Sequence, residues 1–296
     1  MCLYFFKMIF WFLGFACLLF AAFFFIFFRA GWFFGRKPAT VAEKCKYLGA
    51  VIGGVLLVVN ALYIHQQTKE QRHSNDLVRK GQLDTRFKDA ATLLANSNSS
   101  AELSAIHTLH QIAIEASKDE ETKDYVQVIK HILISFIKDN SVIEKDTAYN
   151  KKSNLLLQTI VDYLFRVKQH EIFSEYETDL SKSVLKEIIF WEAQLDSASF
   201  FEAQLQGADF REAQLQGAFF FEAQLQGARF FEAQLQDAGF FRAQLQGAYF
   251  IEAKNIEKAH FRNTLWNLKT NFKGTSLEGK SVEELTEIMG NPPDPL

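Results

Sequence analysis

The stretch Ala193–Glu252 reads AQLDSASFFEAQLQGADFREAQLQGAFFFEAQLQGARFFEAQLQDAGFFRAQLQGAYFIE, which is twelve consecutive pentads. Every pentad begins with alanine and has leucine or phenylalanine at its third position. A period of five belongs neither to an α-helix, with 3.6 residues per turn, nor to a strand, which alternates every two residues. A fixed repeat of one small and one large apolar residue is typical of solenoids, in which stacked units bury a shared core. The stretch therefore predicts a solenoid and argues against a catalytic pocket in this part of the chain.

This alternation of AxLxx and AxFxx pentads resembles the pentapeptide-repeat family. The resemblance implies a right-handed quadrilateral β-helix with four pentads per coil, in which the third residue of each pentad points inward. Residues twenty apart then stack at about 4.8 Å, the ordinary spacing between strands. Two opposite faces of the core are predicted to be lined by leucine and two by phenylalanine. One column is Leu195, Leu215 and Leu235, and another is Phe200, Phe220 and Phe240.

Degenerate pentads extend the predicted solenoid at both ends. The pattern can be followed back to residue 183 and, with two one-residue slips after Phe250, forward to about residue 278. Ser281 and Glu284 form a capping-box pattern that opens a short helix ending at Gly290. We expect this helix to cover the open end of the solenoid, since a bare end exposes unpaired backbone groups. The predicted organisation is a transmembrane hairpin over 1–64, an α-helical linker or domain over 65–182, the β-helix over 183–278, and a cap and tail over 279–296.

Two uncharged apolar segments, about 8–28 and 47–64, are each long enough to cross a bilayer. A cleavable signal peptide is the competing interpretation of the first, but its apolar core is too long and no small-x-small cleavage site follows. A buried hairpin, or one anchor plus a core helix, is the alternative to two spans. Five Lys and Arg residues between the spans match five outside them, so the positive-inside rule does not decide the orientation. Without a signal sequence or disulfides, we expect a multi-pass protein of the bacterial inner membrane with its soluble part in the cytoplasm.

Residues 65–182 are polar and amphipathic, with apolar residues at helical spacing. The segment 86–141, which includes AIHTLHQIA, resembles a helical module of bacterial membrane-anchored pentapeptide-repeat proteins. In that family a membrane hairpin, a short helical region and a pentapeptide solenoid follow in this order. No catalytic residue is associated with the module, so the resemblance implies a small helical domain between anchor and repeat. The last amphipathic helix, around Leu156 to Leu164, is the one that could belong with the solenoid.

Candidate chemical sites are few. The cysteines are Cys2, Cys17 and Cys45, so the chain beyond residue 65 has no thiolate for a metal site or disulfide. His107 and His110 lie three residues apart on one helical face, and an HxxH pair needs at least one further ligand to hold zinc. The chain has no phosphate-binding loop, zinc-protease or nucleophile-elbow motif. We therefore predict a non-enzymatic protein with no catalytic, cofactor or metal site.

The outward positions of the repeat are where function is expected. On the leucine faces, Gln194, Gln214 and Gln234, and likewise Gln206, Gln226 and Gln246, fall in columns and are predicted to form amide ladders. The phenylalanine faces carry outward apolar residues, a large patch for a soluble surface. The candidate interaction surface is Phe201, Phe221 and Phe241 on one face and Phe231, Ile251 and Tyr249 on the opposite face. These residues could pack on the chain's own helical domain or on a second copy, or they could bind another protein or the bilayer surface. A column of glutamates beside the second face, at Glu192, Glu212, Glu232 and Glu252, is expected to be a solvated edge.

The features together predict a membrane-anchored scaffold that binds an unidentified protein and could form homo-oligomers. Two narrower alternatives come from the family resemblance. Some pentapeptide-repeat proteins mimic DNA and bind gyrase, and residues 193–252 carry eight acidic residues against three arginines, a net charge of −5. Others, in intracellular bacteria, are secreted effectors that act on host membranes. Direct binding of nucleic acid is not expected from a chain with a net charge of −3.

Overall fold

The structure is a computed structural model, and it describes residues 41–95, 98–140, 147–166, 170–291 and 293–294. These residues divide into two compact units between Asp76 and Leu77. The first predicted membrane span, about 8–28, lies outside the described residues.

The first unit contains most of a long helix, α1, which runs from Val41 to Leu94. Its apolar side chains from 55 to 64 are exposed, namely Val55, Leu56, Leu57, Val58, Val59, Leu62, Tyr63 and Ile64. Among the described residues, this is the one helix long and apolar enough to cross a membrane, judged by length and composition, over Gly49–Leu94. The second predicted span, 47–64, therefore lies in α1. The polar stretch 65–82 continues the same helix, because it contains no proline and no glycine other than Gly81 to end it.

The second unit begins with the end of α1 and three further helices. They are α2 (Ser99–Ala116), α3 (Asp124–Asn140) and α4 (Thr147–Phe165). Asn98 caps α2 by accepting a hydrogen bond from the amide of Ser100. The three helices pack on one another, and Leu83 and Ala90 of α1 are buried with them. The buried residues that these helices share are Ile106, Leu109, Ile112, Val126, Ile129, Leu133, Ile137, Leu157, Ile160 and Leu164.

The rest of the second unit is the predicted β-helix, which is confirmed. Single-residue parallel bridges join positions twenty apart, beginning with Asp179 and Ser199. Each coil therefore contains four pentads, and we number the coils from their first bridged residues: Asp179, Ser199, Phe219, Gly239 and His260. The spacing is 21 residues between Gly239 and His260 and 22 between Tyr249 and Asn271, which are the two one-residue slips predicted from the sequence. The core side chains after the slips are Ile256, Phe261, Trp266, Phe272 and Leu277, and all are buried.

The interior of the solenoid is apolar and dry because every inward position carries alanine, leucine or phenylalanine. The alanines and the central residues of the pentads from 193 to 250 are at most 1% exposed. Each fully buried Leu or Phe contributes about 1.5–3 kcal/mol by the apolar area it removes from water. The central phenylalanines form two stacked columns on opposite sides, and the central leucines form the other two. The column assignment made from the sequence is therefore correct.

Both ends of the solenoid are covered. At the C-terminal end, α5 (Val282–Met289) begins with the predicted Ser281–Glu284 capping box and ends at Gly290 with a φ of 78°. The carbonyl of Met289 accepts hydrogen bonds from the amide and hydroxyl of Thr264 in the last coil. At the other end, the side-chain amide of Gln158 in α4 exchanges two hydrogen bonds, of 2.8 and 2.9 Å, with the backbone of Ile189. The carbonyl of Phe165 accepts from the amide of Gln194, so α4 takes the place of a preceding coil.

Candidate interaction surface

The repeat has four outer faces, and we name them by the residues behind them. Phe face 1 lies over Phe200, Phe220 and Phe240, and Phe face 2 lies over Phe190, Phe210, Phe230 and Phe250. The two remaining sides are the Leu faces. In each pentad, the residues just before and just after the central residue point outward, and the fifth residue makes the turn to the next face. Each face therefore carries three outward columns, whose members are one coil apart.

Phe face 1 carries the first three predicted residues, Phe201, Phe221 and Phe241, which lie in one column and are half-buried. The rings of Phe201 and Phe221 stack with centroids 5.5 Å apart. Phe219 lies beside Phe221 in the same coil, with ring centroids 5.9 Å apart, and 42% of it is exposed. The side chains of this face cover one another, so their partial burial arises within the face itself.

The turn column beside Phe face 1 is charged. It contains Lys182, Glu202, Glu222 and Arg242 in successive coils. Arg242 forms a 3.0 Å ion pair with Glu222 and lies over the ring of Phe221, 5.8 Å from its centroid. Lys182 lies over Phe201 at 5.9 Å, where the ring quadrupole attracts the ammonium. The apolar column is thus bordered by both signs of charge.

Phe face 2 carries the other three predicted residues. Phe231 and Ile251 are half-buried and Tyr249 is exposed, with the rings of Phe231 and Tyr249 6.2 Å apart. Trp191 stands in the same column as Phe231, one face-turn of forty residues earlier, and 40% of it is exposed. Its indole nitrogen donates to the Glu212 carboxylate at 3.3 Å. The sequence interpretation missed Trp191 because its pentad begins outside the regular run, but the twenty-residue stacking rule would have found it.

The turn column of Phe face 2 is entirely acidic and exposed. Its members are Glu192, Glu212, Glu232 and Glu252, and each has a φ between 54° and 56°. A positive φ is the left-handed region that favours glycine, and the corresponding turns of the Leu faces do use Gly207, Gly227 and Gly247. Glutamate is therefore not the residue that the backbone prefers at these turns. The single basic residue in the neighbouring column, Arg211, is held by the buried Asp209 at 2.7 Å.

The Leu faces are closed by glutamine amides. The predicted ladders within one column are wrong: Gln206 donates to Gln224 at 2.6 Å, Gln216 to Gln234 at 2.9 Å and Gln226 to Gln244 at 2.6 Å. These partners are eighteen residues apart, so the bonds run diagonally from one column to the neighbouring one in the next coil. A diagonal bond joins an outward residue behind the centre of one pentad with the one ahead of the centre in the next coil. The amides are thereby engaged with one another, and the Leu faces offer little apolar surface.

The helical part of the second unit contacts the first coil. The buried Lys130 of α3 donates to the carbonyls of Phe173 and Tyr176 and, at 2.8 Å, to the Thr178 hydroxyl. Burial lowers the pKa of the Lys130 ammonium to about 8. Lys138 of α3 forms a 2.7 Å ion pair with Asp179 at the start of coil 1. The helices are thus anchored at the N-terminal end of the solenoid, while Phe219 and Tyr249, two and three coils further on, remain exposed.

The histidines of the helical part make aromatic and hydrogen-bond contacts. His107 shares a 3.1 Å hydrogen bond with the Tyr163 hydroxyl, and the His110 ring stacks on Tyr163 at 4.1 Å. Burial, and to a smaller extent the nearby His107, lowers the pKa of His110 to about 4. Over the described ranges, no group of three or more His, Cys, Asp or Glu side chains is placed to hold a metal ion.

Comparisons with known proteins agree with this fold. Residues 178–217 and 208–243 match the family model of pentapeptide repeats, with eight copies. No curated protein sequence matches the chain significantly.

Three solved structures are similar to part of the chain. Rfr23, a pentapeptide repeat protein from the cyanobacterium Cyanothece 51142, is 28% identical with a TM-score of 0.31; the match covers 32% of this chain and 64% of that one. A pentapeptide repeat protein from the thylakoid lumen of Arabidopsis thaliana is 26% identical with a TM-score of 0.33, covering 38% and 72%. QnrB1 in a trypsin-treated form, a plasmid-mediated fluoroquinolone resistance protein, is 22% identical with a TM-score of 0.21, covering 41% and 67%. The solenoid of this chain is therefore built from pentapeptide repeats, which the family model matches over residues 178–243.

Proposed function

We propose that this chain is a non-enzymatic, membrane-anchored scaffold whose β-helix binds other proteins through its phenylalanine faces. The observation that carries the proposal is the set of outward aromatic residues on a rigid core. Phe219, Tyr249 and Trp191 are each about two-fifths exposed although the inward positions of the same pentads already supply the hydrophobic core. Outward aromatic residues of this number are not needed for folding, and contiguous exposed apolar patches usually mark interaction sites.

The anchoring part of the proposal is supported by α1. The exposed apolar segment 55–64 and the buried Leu83 of the helical core lie in the same continuous helix. An exposed run of this kind is unfavourable in water and favourable in a bilayer. The location we propose is a bacterial inner membrane with the repeat in the cytoplasm, which the cysteine-free sequence beyond residue 65 suits.

Phe face 2 suits a partner that presents basic and apolar residues together. Its aromatic column, with Trp191 and Phe231, runs alongside the four exposed glutamates. Glutamates at about 4.8 Å spacing repel one another, so a cationic partner relieves that repulsion as it covers the apolar column. Trp and Tyr are the residues that most often dominate binding energy at such surfaces.

A test uses the full-length chain in native membranes with Phe231→Ser on Phe face 2 and Gln226→Ser on a Leu face as the control. Chemical crosslinking with mass identification is expected to give the same discrete adduct for the unchanged chain and Gln226→Ser, and to lose it in Phe231→Ser. Thermal unfolding followed by circular dichroism should be unchanged in both variants. Loss of folding in Phe231→Ser would mean that the outward aromatic residues belong to the core, and retention of the adduct would contradict the proposal.

The gyrase-binding alternative is less well supported because half of the acidic charge of the repeat is already paired. Glu202, Asp209, Glu222 and Glu232 form ion pairs with Lys182, Arg211, Arg242 and Lys254 respectively. A DNA mimic needs an unpaired acidic surface to replace phosphates. Adding the detergent-solubilised full chain to a supercoiling assay with purified gyrase tests this alternative, and inhibition at micromolar protein would revive it. No feature of the described residues favours the host-directed effector.

A further inference from the structure

We propose that Phe face 1 is a self-association surface, through which two copies of the chain pair with their solenoids antiparallel and Phe221 on the two-fold axis. The proposal rests on the function proposed above, since it takes the phenylalanine faces to be binding surfaces. It assigns different partners to the two faces: a second copy to Phe face 1 and another protein to Phe face 2.

The apolar residues of Phe face 1 are arranged symmetrically about coil 3. Coil 3 presents two phenylalanines, Phe219 and Phe221, and the coils on either side each present one phenylalanine and one small residue. These flanking pairs are Ser199 with Phe201 in coil 2 and Gly239 with Phe241 in coil 4. A two-fold axis through coil 3 and across the solenoid places coil 2 of one copy opposite coil 4 of the other, so each column faces itself in reverse order. Phe201 then meets Phe241 of the second copy, and Phe221 meets its own equivalent.

The small residues provide the space that this pairing needs. The Phe219 ring already lies over Gly239, since a Cβ at Gly239 would stand 3.4 Å from the ring. On the axis, the two Phe219 rings approach each other beside Ser199 and Gly239, which have little or no side chain to obstruct them. The protruding ring of coil 3 therefore has shallow positions on both sides of it.

The charged border of Phe face 1 selects the same axis. Its order along the solenoid is Lys182, Glu202, Glu222 and Arg242. An axis at coil 3 brings Glu202 opposite Arg242 of the second copy, twice by symmetry, and the Glu222 on the axis is neutralised by its own Arg242 at 3.0 Å. An axis between coils 2 and 3 would instead place Glu202 opposite Glu222 and Lys182 opposite Arg242, which is like against like. Charge complementarity therefore favours a single register.

Phe face 2 cannot pair with itself in the same way. Its turn column is glutamate in four successive coils, so any antiparallel axis places carboxylates opposite carboxylates. The proposed interface is confined to coils 2 to 4 of Phe face 1, since Asp179 in coil 1 is engaged by Lys138 of α3.

Cysteine crosslinking in native membranes tests the pairing and its direction. The full chain first has Cys2, Cys17 and Cys45 changed to serine. In that background Phe221→Cys, on the axis, is expected to form a disulfide-linked dimer on mild oxidation. Tyr249→Cys on Phe face 2 is the matched control of similar exposure and is expected to stay monomeric. A monomer at Phe221→Cys, or equal dimer at both positions, would overturn the proposal.

The direction is read from residues off the axis. Phe201→Cys and Phe241→Cys, co-expressed on chains with different tags, are expected to give the mixed dimer in preference to either self-dimer. Self-dimers of Phe201→Cys that outnumber the mixed species would indicate parallel solenoids and overturn the antiparallel register. Glu202→Arg, which would face Arg242 of the second copy, is expected to abolish the Phe221→Cys dimer, whereas Glu212→Arg on Phe face 2 should leave it intact. Retention of the dimer in Glu202→Arg contradicts the charge argument.

This result is separable from that of the proposed function. Phe231→Ser should lose the bound partner and keep the Phe221→Cys dimer. If the dimer is absent and the Phe231-dependent adduct persists, only the self-association is wrong. If the dimer forms and no Phe231-dependent adduct exists, self-association stands and binding of another protein fails.

Discussion

The rings of Phe220 and Phe240, one coil apart, stack face to face with centroids 5.0 Å apart and an interplanar angle of 4°. Phe230, which enters the core from the opposite face, meets both rings edge-on at 6.0 and 5.8 Å. Parallel stacking along each column and edge-to-face contact across the core are the two arrangements that aromatic quadrupoles favour. The phenylalanines of the repeat therefore form one continuous zipper down the middle of the solenoid.

Loss of one ring from this zipper should be costly, whereas loss of its outward neighbour should not. Phe220→Ala removes a fully buried ring that contacts four others, so we expect it to lower the free energy of unfolding by about 3–5 kcal/mol. Phe221→Ala removes an outward ring and should change it by no more than about 0.5 kcal/mol. Urea unfolding of the detergent-solubilised chain, followed by circular dichroism, measures both. Equal losses would mean that the distinction between inward and outward phenylalanine is incorrect.

Two glycines with positive φ should differ sharply in their tolerance of alanine. A Cβ at Gly227 (φ 67°) meets nothing within 4 Å, so Gly227→Ala costs only the left-handed backbone, about 1 kcal/mol. A Cβ at Gly290 (φ 78°) would stand 2.7 Å from the backbone nitrogen of Asn263, so Gly290→Ala must also displace the C-terminal cap. Limited proteolysis should release the tail of Gly290→Ala faster than that of Gly227→Ala. Identical protection in the two variants would show that α5 does not close the solenoid.

The buried His110 should make stability fall in mild acid. Its folded pKa is about 4, below the ordinary value of 6.5, and within the described residues neither ring nitrogen has a hydrogen-bond partner. The unfolded chain therefore binds the proton first, so this contribution to stability is complete above pH 6.5 and is lost as the pH falls towards 4. The slope approaches about 1.4 kcal/mol per pH unit in that window. His110→Phe, which keeps an aromatic ring against Tyr163, should flatten the dependence between pH 6.5 and 4, and an unchanged slope would assign it to other groups.

Lys130 should hold the helical part to the first coil. Lys130→Met keeps the length of the side chain but leaves the carbonyls of Phe173 and Tyr176 without their donor, a loss of about 1–3 kcal/mol. Hydrogen exchange should speed up around residues 173–180 and in α3, while amides of coils 3 and 4 stay protected. The exposed Lys118→Met is the control and should change neither region. Uniform loss of protection along the whole solenoid would contradict a local anchoring role.

The core of the repeat was predictable because a fixed period leaves one choice for each side chain. The columns, the two slips after Phe250 and the capping box at Ser281 all follow from counting residues. The closure of the N-terminal end was not predictable, since the amide of Gln158 replaces a backbone strand and a single glutamine carries no period. The glutamine ladders failed for a related reason: stacking gives the column of each amide, but its length and direction decide that it bonds diagonally.

The candidate surface was predictable to the same extent. Twenty-residue stacking placed Phe201, Phe221 and Phe241 in one column, and Phe231 with Ile251 in another. The ion pair of Arg242 with Glu222 and the contact of Trp191 with Glu212 depend on side-chain rotamers, which the repeat does not specify. The length of α1 also went beyond the predicted span, because a polar stretch without breakers continues a helix as readily as it ends one.

The most direct test of the proposal that the phenylalanine faces are binding surfaces is site-specific photocrosslinking in native membranes. A photoreactive phenylalanine analogue is placed singly at Phe221, at Phe231 and, as the control, at Gln226 on a Leu face. We predict a discrete adduct of twice the chain mass at Phe221, a different discrete adduct at Phe231 and none at Gln226. Adducts of equal yield at all three positions, or none at either phenylalanine, would contradict the account.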